Sequence, residues 1–342
     1  MKKKVALLIP HHFSLYEAIT KNLETNGYDV ILLVLTDKDF NYKNALEKAN
    51  NFIRKTFFND KNFKSKLRVK HHSETLNIAL GKLNDMIDYT LVIRPDYFTT
   101  ESLIELKKKS HFFCAYQWDG FSRYPNIVDY ITLFDKFFVF DKDDYIQYKN
   151  IYNNIFPTTN FYVDNIEKDS KINNNEVFFL GSYLEDRIDE IISISHFFKK
   201  RQISSNIQIV YNRTSVPPNL KKSNIKIITK PKKYLEMLDE IKKSKYLLEF
   251  QNTSIHNGLS FRVFEALFFS KKLITNNNDV KNYDFYNPNN IFVWENQDYD
   301  SIIDFLEKDY EAVDNDILKK YSFSNWFNYI FNITPNKPIQ HK

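Results

Sequence analysis

Short apolar runs alternate with segments of helical periodicity along almost the whole chain. No other feature constrains the fold as strongly. VALLIP (Val5–Pro10) reads as a strand. SLYEAITKNLETNG then carries apolar residues at helical spacing and stops at Gly27, and DVILLVL follows as a second buried strand. YTLVIRP, HFFCAYQW and DKFFVFD repeat the strand signal. Between them lie TTESLIELKKK, with a capping-box start, and the helical pattern YPNIVDYITLF. Strands that are apolar on both faces and separated by helices belong in a parallel sheet covered on both sides.

The alternation is interrupted once. TTNFYVDNIEKDSKINNNE is polar and lacks periodicity, as an interdomain linker would. The pattern then restarts with VFFLG, a helix over about 185–200, IQIVY, IKIIT, the helix KKYLEMLDEIKKS, KYLLEFQ, a helix after Gly258, and KKLITNN. Two α/β units in succession predict two Rossmann-like domains facing each other across a cleft. We place them at 1–158 and 176–310, with the linker at 159–175. In the remainder, 311–342, DILKKYSFSNWFNYIF is expected to form one aromatic helix that packs back on a domain.

Composition narrows the function classes. The chain has 48 basic and 43 acidic residues, interspersed, for a net charge of +5. That lacks the concentrated basic stripe of a nucleic-acid binder, but suits an anionic substrate or a membrane surface. The single cysteine, Cys114, sits in the apolar run FFCAY; it excludes an internal disulfide framework and argues against a cysteine-type zinc site. The apolar part of MKKKVALLIPHHF is too short for a signal peptide, and no run approaches a membrane span, so a soluble, cytoplasmic protein is expected.

Only five of the 342 residues are glycine, well below the usual frequency of about 7%. A residue used so sparingly should survive where a side chain is not tolerated. Gly27 fits a helix C-cap and Gly81 lies in a helical pattern, whereas Gly120, Gly181 and Gly258 follow predicted strands. That is the sheet edge where ligands bind. In HNGLSFRVFEAL, glycine ahead of a helix lets backbone N–H groups approach an anion, which the helix N-terminus favours. Arg262, in the first turn, suits a diphosphate, and Glu265, one turn on, suits sugar or ribose hydroxyls. The same spacing is also that of an ordinary i,i+3 surface pair.

SFRVFEALFFSKKLITNN resembles the donor-binding segment of GT-B glycosyltransferases. In that pattern a first Glu and a second Glu eight positions later flank a glycine-containing loop; Asn257 stands at the first position and Glu265 at the second. With FFLGSYLEDR and YQWDGFSRYPN, the wider stretch resembles bacterial lipopolysaccharide or exopolysaccharide biosynthesis glycosyltransferases, over nearly the whole chain. The resemblance implies that Glu265 bonds the donor's ribose or sugar. Arg262 and the amides of Gly258, Leu259 and Ser260 would meet the phosphates, with Gly181, Ser182 and Arg187 forming a second phosphate-facing loop. It further implies no bound metal or other cofactor, a nucleotide sugar as donor substrate, and a glycan or lipid-linked glycan as acceptor, reached at the inner face of the cytoplasmic membrane. The neutral Asn257 departs from the carboxylate that retaining relatives carry, and keeps open a non-catalytic, nucleotide-sugar-binding alternative.

In such enzymes a base, where one is used, comes from the N-terminal domain. Two candidates follow strand ends, His12 in IPHHF and Asp119 in YQWDG. We prefer Asp119 because Gly120 beside it suggests close approach of a ligand. Tyr116, Trp118 and Tyr124 are candidates for a sugar-stacking surface or for the core. DKDD at Asp141 reads as helix capping, His71–His72 as too isolated for a metal site, and Lys230 as a solvated turn.

Overall fold

The computed structural model describes residues 2–36, 40–58, 62–168, 174–251, 258–294 and 299–339. The chain divides into two compact units. Met1–His12, Leu23–Val139 and Asp144–Phe156 form the first; Phe13–Asn22, Phe140–Asp143 and Pro157–Lys342 form the second. Among the described residues, each unit is built on one six-stranded sheet.

The first sheet contains β1 (Lys4–Pro10), β2 (Asp29–Leu35), β3 (Ile87–Ile93), β4 (Ser110–Gln117), β5 (Lys136–Val139) and β6 (Ile155–Pro157). Its order is β2-β1-β3-β4-β5-β6, parallel from β2 through β5. β1 and β3 are buried almost throughout, as runs apolar on both faces must be. DVILLVL differs from the buried strand expected. Among the described residues β2 has a neighbouring strand on one side only, and Leu35 alone of its residues is buried. Thr99 caps the Thr100–Lys108 helix by accepting from the Ser102 amide; Ser102 stands where a capping box needs Glu or Gln, so the capping-box start expected of TTES is an N-cap alone. YPNIVDYITLF forms a 3₁₀ segment, Pro125–Leu133, rather than an α-helix. Gly27 takes φ 89° directly after the first helix, in the left-handed region that favours glycine. Cys114 is buried in β4, and burial pushes its thiol up to about 12.

The second sheet contains β7 (Asn174–Ser182), β8 (Ser205–Val210), β9 (Lys226–Ile228), β10 (Ser244–Glu249), β11 (Lys272–Thr275) and β12 (Ile291–Val293), in the order β12-β11-β10-β7-β8-β9. Its core gathers Val177, Phe179, Ile191, Phe198, Ile209 and Leu248. The expected C-terminal helix is two helices, Asn315–Lys320 and Phe323–Ile330. The break falls at Tyr321–Ser322, where the Ser322 hydroxyl caps the second helix. The segment read as a linker begins as packed chain. Phe161 lies against Phe323 and Trp326, and the Trp326 indole donates to the Thr159 carbonyl at 2.9 Å. Among the described residues no helix is long and apolar enough to cross a membrane.

Both sheets reverse their strand order at one point, between β1 and β3 and between β7 and β10. Loops leaving the carboxyl ends of two strands on either side of such a reversal diverge, and a ligand fits in the crevice they leave. The residues following those four strands are therefore the ones to inspect.

Candidate functional site

In the first unit these loops carry a charged cluster centred on Arg94, directly after β3. Its side chain is 6% exposed and grips Asp96 through both Nε (2.7 Å) and Nη2 (2.6 Å). Nη1 donates to Asp119 Oδ2 at 2.8 Å, and the guanidinium lies 3.5 Å from the centre of the Tyr124 ring. Burial opposes the charge on Arg94, but the hydrogen bonds and charge of Asp96, with Tyr124 and Asp119, more than offset it and raise its pKa. The Arg94 backbone sits at φ 62°, ψ 71°. A non-glycine residue holds that conformation only where its surroundings over-determine it, a condition common at functional sites.

Asp119, placed by the turn after β4, is gripped from both sides. Oδ2 accepts from Arg94, and Oδ1 accepts from Arg123 at 3.2 Å. His12, just beyond β1, has its ring 5.4 Å from that of Trp118. Crowding by the surrounding protein lowers its pKa, with Arg123, Arg94 and His11 adding to the effect and Asp119 opposing it, although His12 itself is exposed to solvent. Of the aromatic residues considered for sugar stacking, Tyr116 is fully buried, Tyr124 is partly exposed with Arg94 over its ring, and Trp118 is partly exposed.

The second unit builds its edge differently. Arg187 folds back over the end of β7, donating to the carbonyls of Phe250 (2.7 Å) and Ser182 (2.9 Å). A Cβ added to Gly181 would lie 3.1 Å from Arg187 Nη2 and 2.8 Å from the Phe179 ring, so the glycine makes room for that arginine. Gly258 is likewise explained by packing rather than by ligand approach: its Cβ would fall 2.4 Å from the Phe140 ring and 2.6 Å from the Phe140 carbonyl. Leu259 is buried, its carbonyl accepting from Asn160 at 2.8 Å. The Ser260 hydroxyl is also committed, since it accepts from the Arg262 amide at 3.2 Å and donates to Glu249 Oε1. Asn257 lies outside the described residues.

Arg262 and Glu265 are not a surface pair. Their side chains are 12% and 2% exposed, with Arg262 Nε 3.2 Å from Glu265 Oε2. Glu265 shares this interior with the buried Tyr234 hydroxyl, and Glu249 accepts from Thr275 as well as Ser260. Burial pushes both carboxyls above the usual range. Arg262 and Tyr234 pull Glu265 back; Ser260, Thr275 and the two arginines pull back Glu249. Arg262 Nη1 and Arg187 Nε are buried without a hydrogen-bond acceptor among the described residues.

No family model matches the chain, and no curated protein matches it. Several solved structures are similar to it. TarM superposes with a TM-score of 0.49 at 15% identity, over 78% of this chain and 58% of that one. An alpha1,3-fucosyltransferase gives 0.44 at 11% identity, over 100% and 93%. T4 phage BGT, in complex with its UDP-glucose substrate, gives 0.39 at 12% identity, over 89% and 88%. This chain thus spans 58% of the length of TarM. The two Rossmann-like α/β units expected from the sequence are present.

Four residues of these edges escape a reading of the sequence: Arg94, Asp96, Glu249 and Tyr234. Two of them leave a signal. In YTLVIRP and KYLLEFQ a charged residue directly follows an apolar run at the strand's end, where neither packing nor solvation welcomes it. Two other expectations hold. Asp141 Oδ1 accepts from the Asp143 amide at 2.9 Å as a helix cap, and Lys230 is exposed in a bend.

Proposed function

We propose that this chain is a glycosyltransferase of the GT-B type that moves a sugar from a nucleotide-activated donor to a hydroxyl of a bacterial surface glycan or lipid-linked glycan. One observation carries the donor half. At the order reversal of the second sheet, Arg262 and Arg187 keep buried N–H groups without acceptors among the described residues, beside the N-terminus of the Phe261–Phe268 helix. Unsatisfied donors of a buried cation are costly, and a diphosphate would satisfy them with charge-assisted bonds. The sequence resemblance of SFRVFEALFFSKKLITNN supports the same assignment. As the anomeric C–O bond to the diphosphate breaks, the two guanidinium groups and the helix N-terminus would take up the charge left on the leaving group, in place of a metal ion. Glu265, buried behind Arg262, orients that guanidinium rather than meeting the ribose.

The first unit would supply the base. Both oxygens of Asp119 already accept from arginines, so we assign proton removal to a ring nitrogen of His12 and give Asp119 the part of fixing the local field. His12 takes the proton of the acceptor hydroxyl as that oxygen attacks the anomeric carbon.

A thermal-shift panel of nucleotide sugars, followed by transfer assays, tests this reading. At least one nucleotide sugar should raise the melting temperature, and Arg262→Met should weaken its binding by about ten- to a hundredfold. If no nucleoside diphosphate or nucleotide sugar stabilises the chain, the reading fails. Binding with neither transfer nor donor hydrolysis would leave a non-catalytic binder.

A further inference from the structure

The helix Ala45–Phe57 is turned inside out. None of its residues is buried, yet it is strongly amphipathic in sequence. Leu46, Phe52 and Phe57 are 79%, 65% and 74% exposed, and Phe58 just beyond is 74% exposed. The polar side faces the protein instead. Glu47 and Asn51 are half-buried, Glu47 accepting from the Lys43 amide at 2.9 Å and Asn51 donating to the Tyr42 hydroxyl at 3.0 Å. A helix that offers water its phenylalanines is covered by something else when the protein works.

The charge around it selects the cover. Residues 40–70 hold nine basic and two acidic residues, a surplus of seven, where the whole chain carries +5. On the helix itself Lys48, Arg54 and Lys55 are exposed beside the apolar stripe. A second copy of this chain would bring the same positive surface against itself. An anionic lipid surface answers both features, because its headgroups attract the cations while the acyl boundary receives Phe and Leu side chains.

We propose that Ala45–Phe57, with Phe58, is an interfacial helix that docks the protein on an anionic bilayer, its axis in the membrane plane. Leu46, Phe52, Phe57 and Phe58 enter the headgroup boundary, and Lys48, Arg54 and Lys55 pair with lipid phosphates. The inference stands apart from the transfer reaction, since a chain without any transferase activity would dock the same way.

Co-sedimentation of the full chain with vesicles tests it, using phosphatidylcholine alone and phosphatidylcholine containing about 30% phosphatidylglycerol. The expected result is binding to the anionic vesicles only, weakened at least about tenfold by Phe52→Ser/Phe57→Ser and by Lys48→Glu/Lys55→Glu. Both pairs are exposed, so melting temperatures should stay at the wild-type value. Three results would overturn the proposal: no binding to anionic vesicles, equal binding by the variants, or a dimer in light scattering that Phe52→Ser/Phe57→Ser dissolves while vesicle binding is absent.

Discussion

At the order reversal of the first sheet, Arg94 meets two partly exposed aspartates, and both of its partners reach solvent. At the reversal of the second, Glu249 and Glu265 are almost completely enclosed and held largely by hydroxyl groups, while Arg262 and Arg187 keep donors without acceptors among the described residues. Each edge sets two arginines against two carboxyls, but the second is dry and leaves arginine N–H donors without acceptors among the described residues. A wetted cluster can hold a proton acceptor in a fixed field. A dry cluster with such donors can receive an anion. The proposed function divides along that difference, with chemistry in one unit and donor binding in the other.

Separate kinetic signatures give the largest expected effect. His12→Ala should lower kcat by about 10²–10⁴, the usual contribution of a general base, and leave nucleotide-sugar affinity at the wild-type level. Single-turnover rates and equilibrium binding measure the two quantities independently. A matched loss of affinity would show that the first edge holds donor, and the contrast between the edges would collapse.

Stability comes next. Glu265→Leu leaves the buried Arg262 without its ion-pair partner, and removal of one partner from a buried pair costs about 3–5 kcal/mol. The double variant Arg262→Met/Glu265→Leu should recover at least half of that, because no uncompensated charge remains. Asp96→Asn, at the wetter edge, should cost about 1.5–3 kcal/mol, the worth of a charge-assisted bond. Denaturant midpoints rank the three. Equal costs for Glu265→Leu and Asp96→Asn would mean that the two edges are alike in dryness.

Much of this was legible in the sequence, and the exceptions have physical causes. Alternating apolar runs located most of the strands, because a parallel sheet buries both faces of its inner members. They could not place β2 at the edge, since DVILLVL is as apolar as any central strand and exposure follows from strand order. The aromatic C-terminal stretch reads as one helix because Ser322, which ends one helix and caps the next, disturbs the periodicity by too little. Glycine scarcity pointed to the ends of β7 and β10, but the neighbours that crowd a side chain there are Phe140, Phe179 and Arg187. One of these lies more than a hundred residues away in the chain. Arg94 and Asp119 share no local motif; strand order alone brings them together.

Those two glycines sharpen the comparison by a smaller effect. Gly258→Ala pushes a methyl group against the Phe140 carbonyl, which is backbone and has nowhere to go, and should cost about 1–3 kcal/mol of stability. At Gly181 the crowding atoms belong to side chains. The Arg187 guanidinium can swing away and the core Phe179 ring can yield a little, so Gly181→Ala should cost less stability and more donor affinity. Melting temperature and binding, measured on both variants, should therefore rank them in opposite orders. The same ranking by both measurements would remove Arg187 from the donor site.

The smallest effect tests the field around His12, and its sign is fixed by the neighbours. The ring must be neutral to take a proton, so kcat/KM should fall as pH drops through the His12 pKa. Desolvation places that fall below the ordinary histidine value of about 6.5. The Asp119 charge holds the pKa up against desolvation, and Asp119→Asn removes it; the acid limb should move to still lower pH. Arg123 acts in the opposite sense, so Arg123→Gln should move the limb to higher pH. Two neighbouring substitutions that shift one limb in opposite directions identify the titrating group by its surroundings, whatever they do to the absolute rate. A limb that ignores both substitutions belongs to another residue, and the base would then have to be sought outside the Arg94 cluster.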